Sequence, residues 1–92
     1  MVRISAYVRN THNLDGGVVL DVRHGRMFAL NFVGSRIVEL LKSHFQDSEI
    51  ANEISQEFGI SPEIAAADVR EFLELLDKQH LIERRETDVT FF

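Results

Sequence analysis

The sequence of 92 residues predicts a single α+β domain, with a small antiparallel sheet in its first third and three α-helices after it. Three observations predict this class. Apolar and polar residues alternate at the start of the chain, a hairpin pattern follows from Val18 to Leu30, and apolar residues recur at helical spacing from Val33 onward. A chain of this length can bury one core that folds alone, with little surplus stability.

Residues 2–8 read VRISAYV and carry the period-two alternation of a half-buried strand, so we predict the first strand there. The following stretch, residues 10–17, reads NTHNLDGG and is rich in turn-forming residues. Its two glycines can supply the positive φ that a chain reversal often needs. We therefore expect residues 10–17 to form a loop.

The next segment predicts a β-hairpin. Its first arm starts at Val18, and the chain reverses around residues 23–26, where Gly25 can take a left-handed conformation without a Cβ penalty. Residues 27–30 return as the second arm. Asn31 ends it, because asparagine is poor within strands and favours helix starts. The first strand and the hairpin together predict a three-stranded antiparallel sheet.

The first helix is predicted from Val33, because Val33, Ile37, Leu40 and Leu41 fall on one apolar stripe. Gly34 lies in the first turn of this helix, where a glycine costs up to about 1 kcal/mol relative to alanine. We expect Gly34 to lie where the helix approaches the sheet closely.

The second helix is predicted to begin near Asp47 and Ser48, since either side chain can accept a hydrogen bond from a free amide of the first turn. Its apolar stripe ends at Phe58. Gly59 follows directly, in the position of a left-handed C-terminal cap.

The third helix is predicted from Pro62, with Ser61 as its N-cap, to about Gln79. The short break before it fits a helix-turn-helix, so the whole arrangement is a winged helix-turn-helix. Apolar side chains on this helix form a stripe that is wider than packing on one surface requires: Ala65, Val69, Phe72, Leu73, Leu75 and Leu76. We assign residues 1–83 to the domain and expect residues 84–92 to form a flexible C-terminal tail.

Charge is distributed unevenly along the chain, whose net charge is −5. Residues 1–46 carry six basic and three acidic residues, residues 47–79 carry two and nine, and residues 80–92 carry two and three. The third helix alone has a net charge of −3, which opposes binding to phosphates over a Debye length of about 8 Å. We therefore predict no nucleic-acid partner.

Several chemical functions lack their motifs. There is no cysteine, and the four histidines (His12, His24, His44 and His80) are scattered, so we predict no metal site. No phosphate-binding loop or nucleophile elbow is present, which predicts a protein that is not an enzyme and has no cofactor. No signal peptide and no apolar run of roughly 20 residues is found, which predicts a cytoplasmic protein without a membrane partner.

The ordered set GVVLD, Gly25-Arg26, Phe28, Leu30-Asn31 and Gly34 resembles the PqqD family, small domains that recognise leader segments of ribosomally made, later modified peptides. The likeness covers about residues 3 to 83. It implies that a leader peptide adds as a strand to the third strand and lies in a groove against the third helix. An edge strand suits this role, because its unpaired amides and carbonyls can bind a guest backbone.

The resemblance implies a peptide-binding site with two walls. The edge would be formed by Arg26, Met27, Phe28, Ala29, Leu30 and Asn31, and the helical wall by Asp68, Phe72, Leu75, Leu76 and Gln79. Phe72 and Leu76 fit plain core residues equally well. Arg26 and Asp68 are candidates for fixing a polar or charged leader residue, and Leu75 is the most informative wall residue because an exposed leucine would then have a purpose.

We therefore predict a peptide chaperone that delivers a precursor leader peptide to a separate leader protease or peptide-modifying enzyme. The hairpin resembles the free-standing recognition domains of lasso-peptide systems more than the carrier of pyrroloquinoline quinone biosynthesis, which is the first alternative. A winged-helix DNA-binding regulator and a structural subunit without peptide affinity are the others. The sequence leaves homodimerisation through the free edge open.

Overall fold

The computed structural model describes residues 2–13 and 16–84 and has the α+β architecture expected from the sequence. Within these residues the chain forms five strands and three helices. In chain order they are β1 (Val2–Ile4), β2 (Val8–Asn13), β3 (Gly16–Asp21), β4 (Arg26–Leu30), α1 (Phe32–Lys42), α2 (Asp47–Phe58), α3 (Pro62–Lys78) and β5 (Ile82–Arg84).

The strands belong to two antiparallel sheets. One has three strands in the order β2-β3-β4, and the other pairs β1 with β5. In the larger sheet β3 is central: Val19 stands opposite Asn10 on one side and Phe28 on the other. The hairpin of β3 and β4 was predicted correctly, and Gly25 in its turn has a φ of 64°.

The predicted position of the first strand was wrong. Residues 2–8 do not form one strand, because the chain turns after Ile4: the amide of Ser5 donates to the carbonyl of Leu81, and the amide of Val8 donates to the carbonyl of Ser5. The strand that joins the hairpin is β2, which occupies residues predicted to be a loop. Pairing with β3 overrides the poor strand propensity of these polar residues, whose side chains are mostly exposed.

The helix boundaries follow local capping. Asn31 caps α1, with its Oδ1 accepting a hydrogen bond from the amide of Gly34 at 2.7 Å. Ser61 caps α3 through a hydrogen bond from the amide of Ile64. The prediction that Asp47 or Ser48 caps α2 was wrong by one residue: the N-cap is Gln46, whose amide donates to the side chain of Glu49.

Three helix ends are followed by a residue in the left-handed conformation, and after α1 this residue is His44, with a φ of 66°. Gly59 caps α2 with a φ of 64°, as predicted. His80, just after α3, has a φ of 59°, a conformation in which glycine is favoured. The chain then returns to the core through Leu81 and enters β5, so Arg84 belongs to a strand, although the predicted tail begins there. The remainder of that tail, residues 85–92, lies outside the described residues.

The core lies between the inner face of the larger sheet and the three helices. Its fully enclosed apolar side chains come from every layer of the fold: Val19, Ile37, Val38, Ile50, Ile54 and Ala65. In the part of the chain that the structure describes, no helix is both long and apolar enough to span a membrane.

Glycines mark two close contacts, and one differs from the prediction. Gly34 does not face the sheet; a Cβ on it would lie 2.9 Å from the Phe72 ring on α3. The helix and the sheet approach each other instead at Gly17, where a Cβ would collide with the side chain of Ser35. Gly34 therefore brings α1 close to α3.

Candidate functional site

The edge strand β4 has unused backbone groups, which its pairing identifies. Backbone groups of an antiparallel strand point alternately toward one neighbour and the other. The amide of Val22 donates to the carbonyl of Tyr7 at 2.9 Å, so this residue points toward β2. The alternation then directs the backbone groups of Asp21, Val19 and Gly17 toward β4.

Three β4 residues stand opposite those groups and pair with them: Arg26, Phe28 and Leu30. Met27 and Ala29 alternate with them, so their N–H and C=O groups point away from β3. No other strand lies on that side of β4 within residues 2–13 and 16–84. The free edge therefore offers two residues, each with one donor and one acceptor, to an extended peptide.

Helix α3 runs beside this edge in the opposite direction to β4. At one end, Nη1 and Nη2 of Arg26 donate to the side-chain oxygen of Gln79 at 3.0 Å and to its carbonyl oxygen at 2.6 Å. At the other end, Gly34 contacts the ring of Phe72. The five residues of β4 span about 17 Å, and the twelve residues from Asp68 to Gln79 span about 18 Å. The two walls thus match in length.

A concave space lies between α1 and α3, next to the residue that joins β4 to α1. It has a volume of about 360 Å³. Its floor is apolar, with Phe72 half-buried and Ile37 buried, and its rim carries the carboxylates of Asp68 and Glu71. The residues that line it are Asn31, Val33, Gly34, Ile37, Asp68, Glu71, Phe72 and Leu75. Such a space fits one or two apolar side chains of a guest.

Asp21 holds Arg26 in place from within the hairpin turn. Its buried carboxylate accepts hydrogen bonds from the backbone amides of Arg23 and His24, from Nδ1 of His24 at 2.8 Å and from Nη2 of Arg26 at 3.0 Å. Burial acts to raise the pKa of this carboxyl, but the hydrogen bonds from the His24 and Arg26 side chains and the His24 amide outweigh it. They lower the pKa of Asp21 to about 2.

This pKa predicts an acid-sensitive contribution to stability. Because the folded pKa of Asp21 lies below its ordinary value of 3.8, the contribution is complete above about pH 4 and is lost as the pH falls toward 2. Asp21→Asn should lower the melting temperature at pH 7, and the difference from wild type should shrink between pH 4 and pH 2. Thermal melts followed by circular dichroism check this. A difference that stays constant over that range would contradict the assigned role of the Asp21 charge.

Four of the eleven predicted site residues line the space between α1 and α3: Asn31, Asp68, Phe72 and Leu75. Leu75 lines it and is 58% exposed, whereas Leu76 is 4% exposed and belongs to the core. Arg26 was predicted to bind a leader residue, but its two terminal nitrogens are already bound to Asp21 and Gln79. Its Nε is buried and has no hydrogen-bond partner among the described residues. The roles of these residues in peptide binding stay predictions.

Sequence reasoning missed four lining residues: Val33, Gly34, Ile37 and Glu71. Glu71 could have been predicted from the sequence, since it lies three residues after Asp68 and four before Leu75, on the same helical face. The lining residues on α1 could not have been predicted, because they depend on the contact between Gly34 on α1 and Phe72 on α3.

One further cluster has the order of a nucleophile, a base and an acid. Nδ1 of His12 contacts Oγ of Ser35, and Nε2 of His12 lies 3.1 Å from a carboxylate oxygen of Glu39. Ser35 is fully buried beneath the sheet, so a substrate cannot reach its hydroxyl. The cluster fastens β2 to α1. No group of three residues suited to a metal ion occurs in the described ranges.

Comparison with known proteins places the chain in a family. The family model described as "Coenzyme PQQ synthesis protein D (PqqD)" matches residues 16–82. The structure of TbiB1 in complex with the TbiA(beta) leader peptide matches with a TM-score of 0.83 and 33% identity, over 91% of this chain and 98% of that one.

Two further structures are similar. The PqqD truncation of Methylobacterium extorquens PqqCD, described as a stand-alone recognition element, has a TM-score of 0.75, with 25% identity over 90% of this chain and 88% of that one. Lasso peptide synthetase B1 complexed with the leader peptide has a TM-score of 0.79 over 90% and 98%; at 20% identity it supports the fold alone.

No curated protein matches the chain. The family model nevertheless spans both walls of the groove, from the start of β3 through β4 and α1 to the end of α3. The chain belongs to the PqqD family.

Proposed function

We propose that this protein is a non-catalytic peptide chaperone. It binds the leader segment of a ribosomally made precursor by strand addition to β4 and presents the precursor to a separate protease or modifying enzyme. The observation that carries the proposal is the pair of residues with unpaired backbone groups, Met27 and Ala29, on the strand that leads into the largely apolar space between α1 and α3.

The groove favours an extended peptide as its occupant. Native sheet edges are usually protected against pairing with another chain, for example by a charged side chain or a proline. The only charged side chain of β4 is Arg26, and it is turned back onto Gln79 and Asp21. Hydrogen bonds to Met27 and Ala29 would contribute affinity, while the space around Phe72 selects an apolar guest side chain.

Similarity to solved complexes supports the same function. TbiB1, which shares 33% identity with this chain along nearly its whole length, has been solved with a leader peptide bound. The PqqD family model also supports the alternative of a carrier in pyrroloquinoline quinone biosynthesis. Both alternatives require recognition of a precursor peptide, and they differ in the enzyme that receives it.

Titration with peptide tests the proposal. Two probes are used: the TbiA(beta) leader, and the leader of the precursor encoded beside this chain's gene. Calorimetry should give micromolar or tighter binding of the cognate leader, and amide-shift NMR should place the largest changes at Met27 and Ala29. The proposal is wrong if the chain binds neither leader at micromolar concentrations, or if the amide chemical-shift changes are confined to elements other than β4.

A further inference from the structure

The face of the larger sheet opposite the helices is unusually apolar. The side chains that point outward from its three strands alternate with the buried ones, and four of them are apolar: Val18, Leu20, Met27 and Ala29. Tyr7 and Val22, one residue beyond the ends of β2 and β3, are exposed and extend this surface. A solvated face of an antiparallel sheet normally carries polar residues. We call this surface the outer face.

The charged side chains on the outer face are basic. Arg9 stands opposite Leu20 in the register, and the guanidinium of Arg23 lies 4.0 Å from the centre of the Tyr7 ring. No acidic side chain lies on this face among residues 2–13 and 16–84, because Asp21 points inward and is buried. A chain with a net charge of −5 thus has a basic, apolar surface here.

The outer face continues into the peptide-binding edge. Met27 is 70% exposed and Ala29 is exposed, and both belong to the free edge as well as to this face. A guest strand paired with β4 would add a fourth strand, and its alternate side chains would point outward beside Met27 and Ala29. The bound guest therefore enlarges the outer face by one strand.

We propose that the outer face, enlarged by the guest strand, is the docking surface for the enzyme that consumes the precursor. The inference rests on the proposed function. We expect the enzyme to present a complementary surface, apolar with carboxylates at its rim, because the outer face is apolar and carries the charges of Arg9 and Arg23. An enzyme that docks here contacts the chaperone and the guest together.

A second copy of this chain is a poorer occupant. Stable interfaces bury about 800 Å² on each partner, and the outer face of three short strands is a small patch by that measure. Two copies packed through this face would also bring Arg9 and Arg23 toward their own counterparts.

The inference predicts coupling between guest and enzyme. If the enzyme binds the loaded chain more tightly than the empty one, it must raise the affinity of the guest by the same factor, which for typical couplings is about 5- to 150-fold. Calorimetry of the cognate leader, with and without a saturating amount of the purified enzyme encoded beside the precursor, measures this factor.

Variants separate the outer face from the edge. Leu20→Glu places an acid on the outer face, on the strand next to β4, without touching the backbone groups of Met27 and Ala29. It should abolish the coupling and leave the affinity of the leader for the isolated chain unchanged. Arg23→Glu should weaken the coupling by opposing the carboxylates of the enzyme. Ile64→Glu is the control, since Ile64 is an exposed apolar residue that lies on α3, away from the outer face, and it should retain the wild-type coupling.

The outcomes are distinct. Coupling that survives in Leu20→Glu, or that disappears equally in Ile64→Glu, would overturn the docking surface while leaving the chaperone function intact. Sedimentation that shows a wild-type dimer dissolved by Leu20→Glu would assign the outer face to a second copy instead. Absence of leader binding by the isolated chain would contradict the proposed function itself.

Discussion

Replacement of Ala29 by proline is expected to abolish leader binding while leaving the fold intact. The amide of Ala29 points away from β3, so its loss removes no hydrogen bond of the sheet. A guest carbonyl left without its partner costs about 1–3 kcal/mol, which corresponds to about 5- to 150-fold in affinity, and the proline ring at the edge adds to this. Calorimetry with the cognate leader gives the affinity, and circular dichroism verifies the fold.

Two further proline variants control this experiment. Asn10 lies on the opposite edge of the sheet and, by the same alternation, points its amide away from β3. Asn10→Pro should therefore bind leader as wild type does. Phe28→Pro removes a hydrogen bond within the sheet and should destabilise the domain. Normal binding by Ala29→Pro would rule out strand addition at β4.

Replacement of Gly34 by alanine is expected to destabilise the domain and weaken leader binding together. Alanine usually favours a helix, by up to about 1 kcal/mol over glycine. Here its Cβ would lie 2.9 Å from one atom of the Phe72 ring and 3.2 Å from another. Such overpacking costs about 1–3 kcal/mol, and each kcal/mol lowers the melting temperature of a domain of this size by about 4–8 °C. The displaced ring also alters the floor of the groove.

A double-mutant cycle identifies the contact responsible. Phe72→Leu removes the ring atoms that face Gly34, so adding Gly34→Ala to that variant should cost little or even stabilise the helix. Urea denaturation of the four proteins gives the coupling free energy. If Gly34→Ala is equally destabilising with and without the Phe72 ring, the close contact between α1 and α3 is not the reason for this glycine.

Local signals in the sequence predicted most of the fold. The hairpin followed from Gly25 and its alternating flanks, and the helices followed from their apolar stripes and from the caps at Asn31, Gly59 and Ser61. The sheet was assembled incorrectly because β2 reads as a loop. Its residues are polar and turn-forming, and they form a strand because β3 offers a partner, which propensity cannot reveal.

The candidate site was likewise predicted only in part. The edge and the helical wall came from the family resemblance, and in the structure Arg26 of the edge donates hydrogen bonds to Gln79 at the end of the helical wall. The bridge from Asp21 through Arg26 to Gln79 was not predicted, because it joins a hairpin turn to a helix end that is 53 residues away from Arg26 in sequence. The contact between Gly34 and Phe72 escaped prediction for the same reason.

The pairing of β1 with β5 has a consequence for how this domain can be used. Val2 stands opposite Arg84, so the first and last residues that the structure describes are neighbours, about 5 Å apart. A domain with adjacent ends can be inserted into a loop of another protein, or joined to it through either end, with little distortion. Joined to an enzyme by a short linker, it would hold a bound precursor at an effective concentration near the millimolar range. The same fold can therefore serve as a free-standing chaperone or as a module built into the enzyme that it supplies.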